Sequence, residues 1–202
     1  MTSPLEPTED HTDAGAVRPW DAQDHEVFRL AQLVVLLSVT SAVGKPVSNI
    51  DRLGYYDFFA ANPFVVVPTH GRPRDEGDRL KLKLAGFSED QLSYASTGQR
   101  WVSRRRRLQH DLARLVAYGL VAFDEGTIDL TDAGAALASQ MSTIYADAYR
   151  TSATVVVRRL AQMSELKLRR SVQTWLGTSW LNVDLLDDVT TESGTVQEGD
   201  VR

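Results

Sequence analysis

Residues 100–134, RWVSRRRRLQHDLARLVAYGLVAFDEGTIDLTDAG, decide the fold class of this chain. Their first part predicts a helix, because large apolar residues recur at helical spacing on one face: Trp101, Leu108, Leu112 and Leu115. Gly119 follows at the place where a helix C-cap needs a residue that tolerates positive φ. The helix therefore ends in a turn at Gly119.

A hairpin and a further helix are predicted directly after this turn. Residues 120–123 and 128–130 are short apolar runs joined by Glu125-Gly126-Thr127, which is the pattern of two strands with a glycine-assisted turn. Thr131 and Asp132 resemble the N-cap of a helix over residues 133–141. The order helix, hairpin, helix predicts a mainly α fold with a small β-hairpin, of the winged-helix type.

Four consecutive arginines, residues 104–107, lie on the first of these helices. At about 100° per residue, its open face carries Ser103, Arg106, Arg107, His110 and Arg114, while Arg104 and Arg105 flank the apolar stripe. Guanidinium groups on an accessible helix suit phosphate groups. We therefore expect nucleic-acid contacts at Arg104, Arg105, Arg106, Arg107 and Arg114. An acidic protein surface, or a solvated face whose stems cover apolar neighbours, remains an alternative.

Composition favours one compact, mostly helical domain. The chain has 202 residues, 43% of them hydrophobic and 24% charged, which is ordinary for a globular protein. It has no cysteine, so disulfides and thiolate metal sites are excluded. The N-terminus lacks the pattern of a signal peptide, and the longest apolar run, residues 33–37, is too short to span a bilayer. We expect a cytoplasmic protein.

The formal net charge of −5 conceals an uneven distribution. Residues 1–26 carry seven acids and one arginine, and residues 184–202 carry six acids and one arginine, which leaves +6 for residues 27–183. We expect acidic, disordered tails over residues 1–20 and 184–202. The acidic overall charge therefore does not argue against a polyanionic partner.

Two helices are predicted before the arginine-rich helix. Asp21 or Asp24 can cap a helix through Val39, whose core stripe consists of Val27, Leu30, Val34 and Leu37. Val35 and Leu36 add apolar surface outside this stripe, which predicts that more than one side of the helix is covered. Residues 48–51 resemble a capping box for a helix over residues 50–61, which Asn62-Pro63 stops. A winged-helix-like domain is expected over residues 21–144.

An insertion at about residues 64–99 interrupts this domain. Leu80, Leu82 and Leu84 alternate with charges as in a strand, whereas residues 76–85 also fit a short amphipathic helix, and both readings stay open. Residues 71–77, GRPRDEG, are typical of a loop.

C-terminal helices are expected over residues 145–181, namely over residues 145–162 and 164–175. Their polar faces carry a second basic band, which includes Arg150, Arg158 and Arg159, and which is interpreted as ordinary solvated surface. The aromatic and apolar side chains near their end are candidate anchors for a partner: Trp175, Trp180 and Leu181.

No catalytic, metal or cofactor site is predicted. Residues 39–46, VTSAVGKP, resemble a P-loop, but Val39 replaces the first glycine and Pro46 replaces the hydroxyl residue that binds magnesium. The four histidines lack metal-ligand spacing: His11, His25, His70 and His110. We expect a chain without enzymatic activity of its own.

Two segments resemble the middle components of bacterial ABC-three-component systems. They are IDRLGYYDFFAANPF at 50–64 and WVSRRRRLQHDLARLVAYGLVAFDEGTIDLTDAGAALA at 101–138, separated by a long insertion. The resemblance covers about residues 25–176. It implies a small winged-helix protein encoded beside an SMC-like or Rad50-like ATPase and an effector, as in Lamassu-type antiphage defence.

The resemblance implies an accessory subunit that docks on the ATPase and contributes to binding of double-stranded DNA. A stand-alone winged-helix transcriptional regulator is the alternative. Such regulators usually keep the helices before the recognition helix close in sequence, so the insertion favours an assembly component. A pure interaction module, in which the wing is only a scaffold, is a third reading.

Overall fold

A computed structural model describes residues 22, 25–69, 71–89, 97–124 and 126–177. Within them the chain forms helices and one antiparallel hairpin, so the predicted class, mainly α with a small β-hairpin, is confirmed. In chain order the elements are α1 (Glu26–Ala42), α2 (Ile50–Ala61), α3 (Pro73–Leu84), α4 (Thr97–Ala117), β1 (Val121–Asp124), β2 (Thr127–Leu130), α5 (Asp132–Gln140), α6 (Ile144–Leu160) and α7 (Glu165–Leu176). The predicted tails lie outside the described residues.

Helix α1 is the centre of the core and packs against α4, α5 and α6. Every residue from 32 to 37 is buried, which confirms that the helix is covered on more than one side. Val27 is 78% exposed, so its assignment to the core stripe is wrong. The N-cap position is His25, without a capping side-chain hydrogen bond, whereas Asp21 and Asp24 lie outside the described residues. Val27 therefore belongs to the first turn, before α1 enters the core.

Helix α4 and the hairpin agree with their sequence pattern. The predicted stripe of α4 is buried throughout: Trp101, Leu108, Leu112 and Leu115. Gly119 has a φ of +69° directly after the helix, because the left-handed region is open to a residue without Cβ. Strand β1 pairs with β2 from Val121 opposite Leu130 to Asp124 opposite Thr127, and an isolated antiparallel bridge joins Val47 to Ile128. The connection before α2 thus adds a third extended segment beside β2.

The side chains that begin helices satisfy backbone N–H groups which have no partner inside the helix. The Asn49 side chain accepts a hydrogen bond from the N–H of Arg52, and Thr131 accepts one from Gly134. Helix α2 then ends before Pro63, because the residue that precedes a proline is sterically disfavoured in the helical region. The predicted bounds of α2 are confirmed.

The insertion contains a helix, α3, whereas the sequence pattern fitted either a strand or a helix. Pro73 occupies the first turn of α3, and the Asp75 carboxylate accepts a hydrogen bond from the Arg72 N–H at 2.9 Å. Residues 73–77 are therefore helical, and their prediction as a loop is wrong. Only Leu82 of the three leucines is buried, because side chains two residues apart point to different sides of a helix. Leu80 and Leu84 are 59% and 80% exposed.

We expect Gly77→Ala to raise the free energy of unfolding by about 0.5 to 1 kcal/mol, because Gly77 lies inside α3 and an added Cβ would meet nothing within 4 Å. Gly134→Ala is the opposite case, since its Cβ would lie 2.1 Å from the Leu120 carbonyl oxygen. This substitution should lower the free energy of unfolding by at least about 1 kcal/mol. Urea unfolding followed by circular dichroism measures both changes. Equal stabilities of the two variants would contradict this account of α3 and α5.

Candidate nucleic-acid interface

On the inner side of α4, the charged side chain of Arg104 lies in the protein interior. The Arg104 guanidinium forms a two-pronged ion pair with the Asp57 carboxylate of α2, with Nη2 and Oδ1 2.7 Å apart. Nη2 also donates to Oε1 of Gln32 on α1 at 2.6 Å, and the Tyr149 hydroxyl of α6 donates to Asp57 at 3.3 Å. The two charged side chains are 15% and 6% exposed. Four helices therefore meet at one buried ion pair.

The electrostatics keep the Arg104 guanidinium charged. Burial by itself lowers the pKa of Arg104, but the charge and hydrogen bond of Asp57 outweigh it and raise that pKa above its ordinary value. Burial, followed by the neighbouring Asp57 charge, raises the pKa of Tyr149 well above its ordinary range. Burial also raises the pKa of Tyr145, whose hydroxyl accepts a hydrogen bond from Gln32, to about 12. Charged arginine and neutral tyrosine are thus the forms that the fold stabilises.

A second ion pair connects α4 to α1. Arg29 donates to the Asp111 carboxylate at 2.7 and 2.9 Å, and the two side chains are 13% and 3% exposed. Between this pair and the one at Arg104 lies a void of about 10 Å³, which is room for about one water molecule. Helix α4 is therefore held at two points along its inner side.

Arg104 does not fit the predicted phosphate-binding set. Its guanidinium faces Asp57 and Gln32 inside the protein, so a phosphate contact would require the buried pair to break. The angular pattern placed Arg104 at the flank of the apolar stripe, and a long side chain at a flank can turn inward when a buried carboxylate receives it. We remove Arg104 from the candidate nucleic-acid interface.

The remaining predicted arginines reach the surface of the protein, Arg105 at the flank of the apolar stripe and the others farther from it. Arg106 is exposed, and Arg107 is partly exposed and donates to the Ser103 hydroxyl at 2.9 Å. Arg105 pairs with Asp51 at 3.2 Å, where both side chains are about 40% exposed. Arg114 pairs with Glu26 and donates to His110 Nε2 at 3.1 Å. Exposed pairs of this kind contribute little to stability and exchange readily with solvent ions.

Sequence reasoning missed Arg100, which is exposed on the same helix. Arg100, Arg107 and Arg114 recur every seven residues, which is close to two helical turns, so they share one side of α4. This spacing was available as a signal in the sequence. We name one set of accessible side chains the outer face of α4: Arg100, Ser103, Arg106, Arg107, His110 and Arg114.

The predicted partner anchors are only partly described. Trp175 is half-buried, and its ring packs edge-on against Phe59 at 5.4 Å between centroids, so part of its surface belongs to the core. Trp180 and Leu181 lie outside the described residues. The prediction that these residues bind a partner stays a prediction.

The segment that resembles a P-loop ends a helix instead of beginning one. Residues 39–42 form the last turn of α1, and Gly44 follows with a φ of +66°. A phosphate-binding loop uses the N–H groups at a helix N-terminus, whereas carbonyl groups point out of a C-terminus. Among the described residues there is no cluster of acidic or histidine side chains that could hold a metal ion.

No helix in the described part of the chain is long and apolar enough to cross a membrane. Comparison of the chain with protein-family models, with curated proteins and with solved structures found no significant match.

Asp57→Asn should lower the free energy of unfolding by roughly 3 to 5 kcal/mol, because it leaves the buried Arg104 charge without a counter-ion. Asp51→Asn removes the carboxylate that pairs with Arg105 at the surface, and it should lower the free energy of unfolding by less than about 1 kcal/mol. Urea unfolding at neutral pH measures both values. Similar small losses in the two variants would show that the Arg104–Asp57 pair does not hold the helices.

Stability should fall as the pH rises above about 10, the ordinary tyrosine pKa. The folded state raises the pKa of Tyr149, so the unfolded chain loses that proton first and becomes more stable relative to the fold. Below pH 10 this contribution is fully present. Tyr149→Phe should be less stable at pH 7, because it removes the hydroxyl that donates to Asp57, and should show a shallower alkaline decline. Urea unfolding between about pH 8 and pH 11 compares the slopes; parallel declines would contradict the assignment.

Proposed function

We propose that this chain is a non-catalytic accessory subunit of an assembly built on an SMC-like or Rad50-like ATPase, and that α4 contributes phosphate contacts to double-stranded DNA. The observation that carries the DNA part is the outer face of α4. It presents arginines along a helix of 21 residues that is anchored by two buried ion pairs beside its apolar stripe. A rigid cationic helix suits the evenly charged backbone of a duplex.

The order of elements supports this role for α4. Helix α1, the bridging residue Val47, helix α2, helix α4 and the hairpin follow each other as in a winged helix, with α3 inserted before α4. In helix-turn-helix proteins the last helix of the unit is the one that enters the major groove. Among the helices that the structure describes, the one richest in arginine is at that place.

The charge pattern favours weak binding without sequence preference. Asp51 and Glu26 pair with Arg105 and Arg114, so phosphates must compete with these carboxylates. We assign phosphate contacts to Arg106 and Arg107 because of their position near the middle of the outer face. Contacts to phosphates position a protein on DNA but carry no sequence information.

The assembly part of the proposal is supported by the resemblance of residues 25–176 to middle components of ABC-three-component systems, and by α3. The insertion separates α2 from α4, whereas stand-alone regulators usually keep these helices adjacent. Leu80 and Leu84 lie one turn apart on α3 and expose 59% and 80% of their surface, which leaves an apolar strip outside the core.

A stand-alone transcriptional regulator is the second candidate, because the same α4 and hairpin would serve it. A regulator should discriminate its operator by roughly 1 to 3 kcal/mol for each base that an arginine reads. Co-expression with an SMC-like ATPase encoded beside this chain separates the candidates. Co-purification supports the accessory subunit, and tight binding to one operator without such a partner supports the regulator.

Arg106→Gln with Arg107→Gln should weaken duplex binding and reduce the slope of log K against log salt by roughly 0.9 for each phosphate that is no longer neutralised. Arg169→Gln with Arg170→Gln removes the same charge from exposed positions of α7 and should leave affinity and slope nearly unchanged. Fluorescence anisotropy with an arbitrary duplex, at several salt concentrations, measures both. Equal effects in the two variants would mean that overall charge binds the DNA, and absence of salt-sensitive binding by wild type would overturn the DNA part.

A further inference from the structure

A groove of about 670 Å³ lies between α3 and α6. Its walls are lined by basic side chains from both helices: Arg74 and Lys81 of α3, and Arg150 and Arg158 of α6. The volume is that of a site for a small organic molecule, since such pockets usually measure about 300 to 1,000 Å³. The sequence indicated a basic band here but not that α3 would close it into a groove.

The groove has an excess of positive charge. Asp78 is its one acidic lining residue among those described, and its carboxylate is bound by Arg159 at 2.6 Å. Arg158, Arg74 and Lys81 have no acidic partner among the described residues, and all three are exposed. Three cations therefore face a concave site whose acid is already neutralised.

Arg150 is not part of this excess. It pairs with Asp147 at 2.8 Å and donates to the Ala138 carbonyl at 2.6 Å. Thr151 and Thr154 also line the groove, and their hydroxyls donate to main-chain carbonyls of α6. Each hydroxyl oxygen still has an acceptor position, so the wall can receive hydrogen bonds from a polar ligand.

Gly77 leaves the α3 wall of the groove without a side chain at its position. It lies within α3 and lines the groove, although glycine destabilises the interior of a helix relative to alanine. Its φ is not positive, and a Cβ at this position would meet nothing within 4 Å, so neither the backbone nor the packing requires glycine. A residue without a side chain does let a bound molecule approach the α3 backbone closely.

We propose that the groove between α3 and α6 binds a phosphorylated small molecule of nucleotide size. Arg74, Lys81 and Arg158 contact its phosphates, and the molecule lies against α3 at Gly77. Arginine and lysine side chains that converge from two helices favour a multiply charged phosphate over a single carboxylate. The outer face of α4 contributes no lining residue, so this site is distinct from the proposed DNA contact.

Isothermal titration of the full chain with ADP, pyrophosphate and citrate tests the proposal. We expect ADP and pyrophosphate to bind more tightly than citrate, which carries comparable charge on carboxylates. Lys81→Gln with Arg158→Gln should weaken ADP binding at least about tenfold, whereas the matched control Arg169→Gln with Arg170→Gln should change it less than about twofold. Gly77→Ala should keep the chain folded and also weaken ADP binding.

Three results would overturn the proposal. The first is no binding of ADP or pyrophosphate up to about 10 mM, and the second is binding of citrate as tight as that of ADP. The third is an equal loss of ADP affinity in the Lys81→Gln with Arg158→Gln variant and in the Arg169→Gln with Arg170→Gln control. Thermal unfolding of every variant confirms that it is folded before titration. Binding of duplex DNA, but not of ADP, that depends on Lys81 and Arg158 would assign the groove to the nucleic-acid surface and would also overturn it.

Discussion

The buried ion pair of Arg104 and Asp57 is the contact on which the arrangement of the helices depends. It joins α4 to α2, and it is completed by Gln32 from α1 and Tyr149 from α6. Removing two charges from water is costly, and their attraction compensates only when the geometry is good and the remaining polar atoms are bonded. Any rotation of α4 about its axis would leave the guanidinium buried without its partner. The pair therefore fixes which side of α4 faces inward, more than it adds to total stability.

The outer face of α4 is a consequence of this constraint. Once Arg104 is held inside and Asp111 is bound to Arg29, Arg106 is on the other side of the helix, and Arg107 is partly exposed at the edge between the two sides. One run of arginines thus has two physical roles, since one member neutralises a buried carboxylate and others lie at the surface. A helix whose inner side is anchored by directional contacts presents its outer charges in a defined geometry, which reduces the entropy cost of binding a partner.

The same principle operates at the second basic surface. Arg159 binds Asp75 and Asp78 at 2.7 and 2.6 Å and so fastens α3 to α6. Because these acids are occupied by a structural arginine, the cations that line the groove are left in excess. In both places, the charge that a surface presents depends on which acidic side chains are already paired inside the fold. The number of arginines and lysines alone does not give it.

Local signals in the sequence determined α2, α4 and the hairpin, because capping residues, glycines and apolar periodicity act within a few residues of one another. They did not determine α3, because the spacing of Leu80, Leu82 and Leu84 fits both a strand and a helix. The tertiary structure shows a helix in which only Leu82 of the three packs into the core. Only the tertiary structure determined that the Arg104 side chain is buried in an ion pair instead of lying at the surface. Its partner Asp57 is 47 residues away in the chain, and no periodicity of α4 encodes that a carboxylate from another helix lies beside it. The sequence determined where charge is concentrated, and packing between distant segments decided which charges are neutralised in the interior and which remain at the surface.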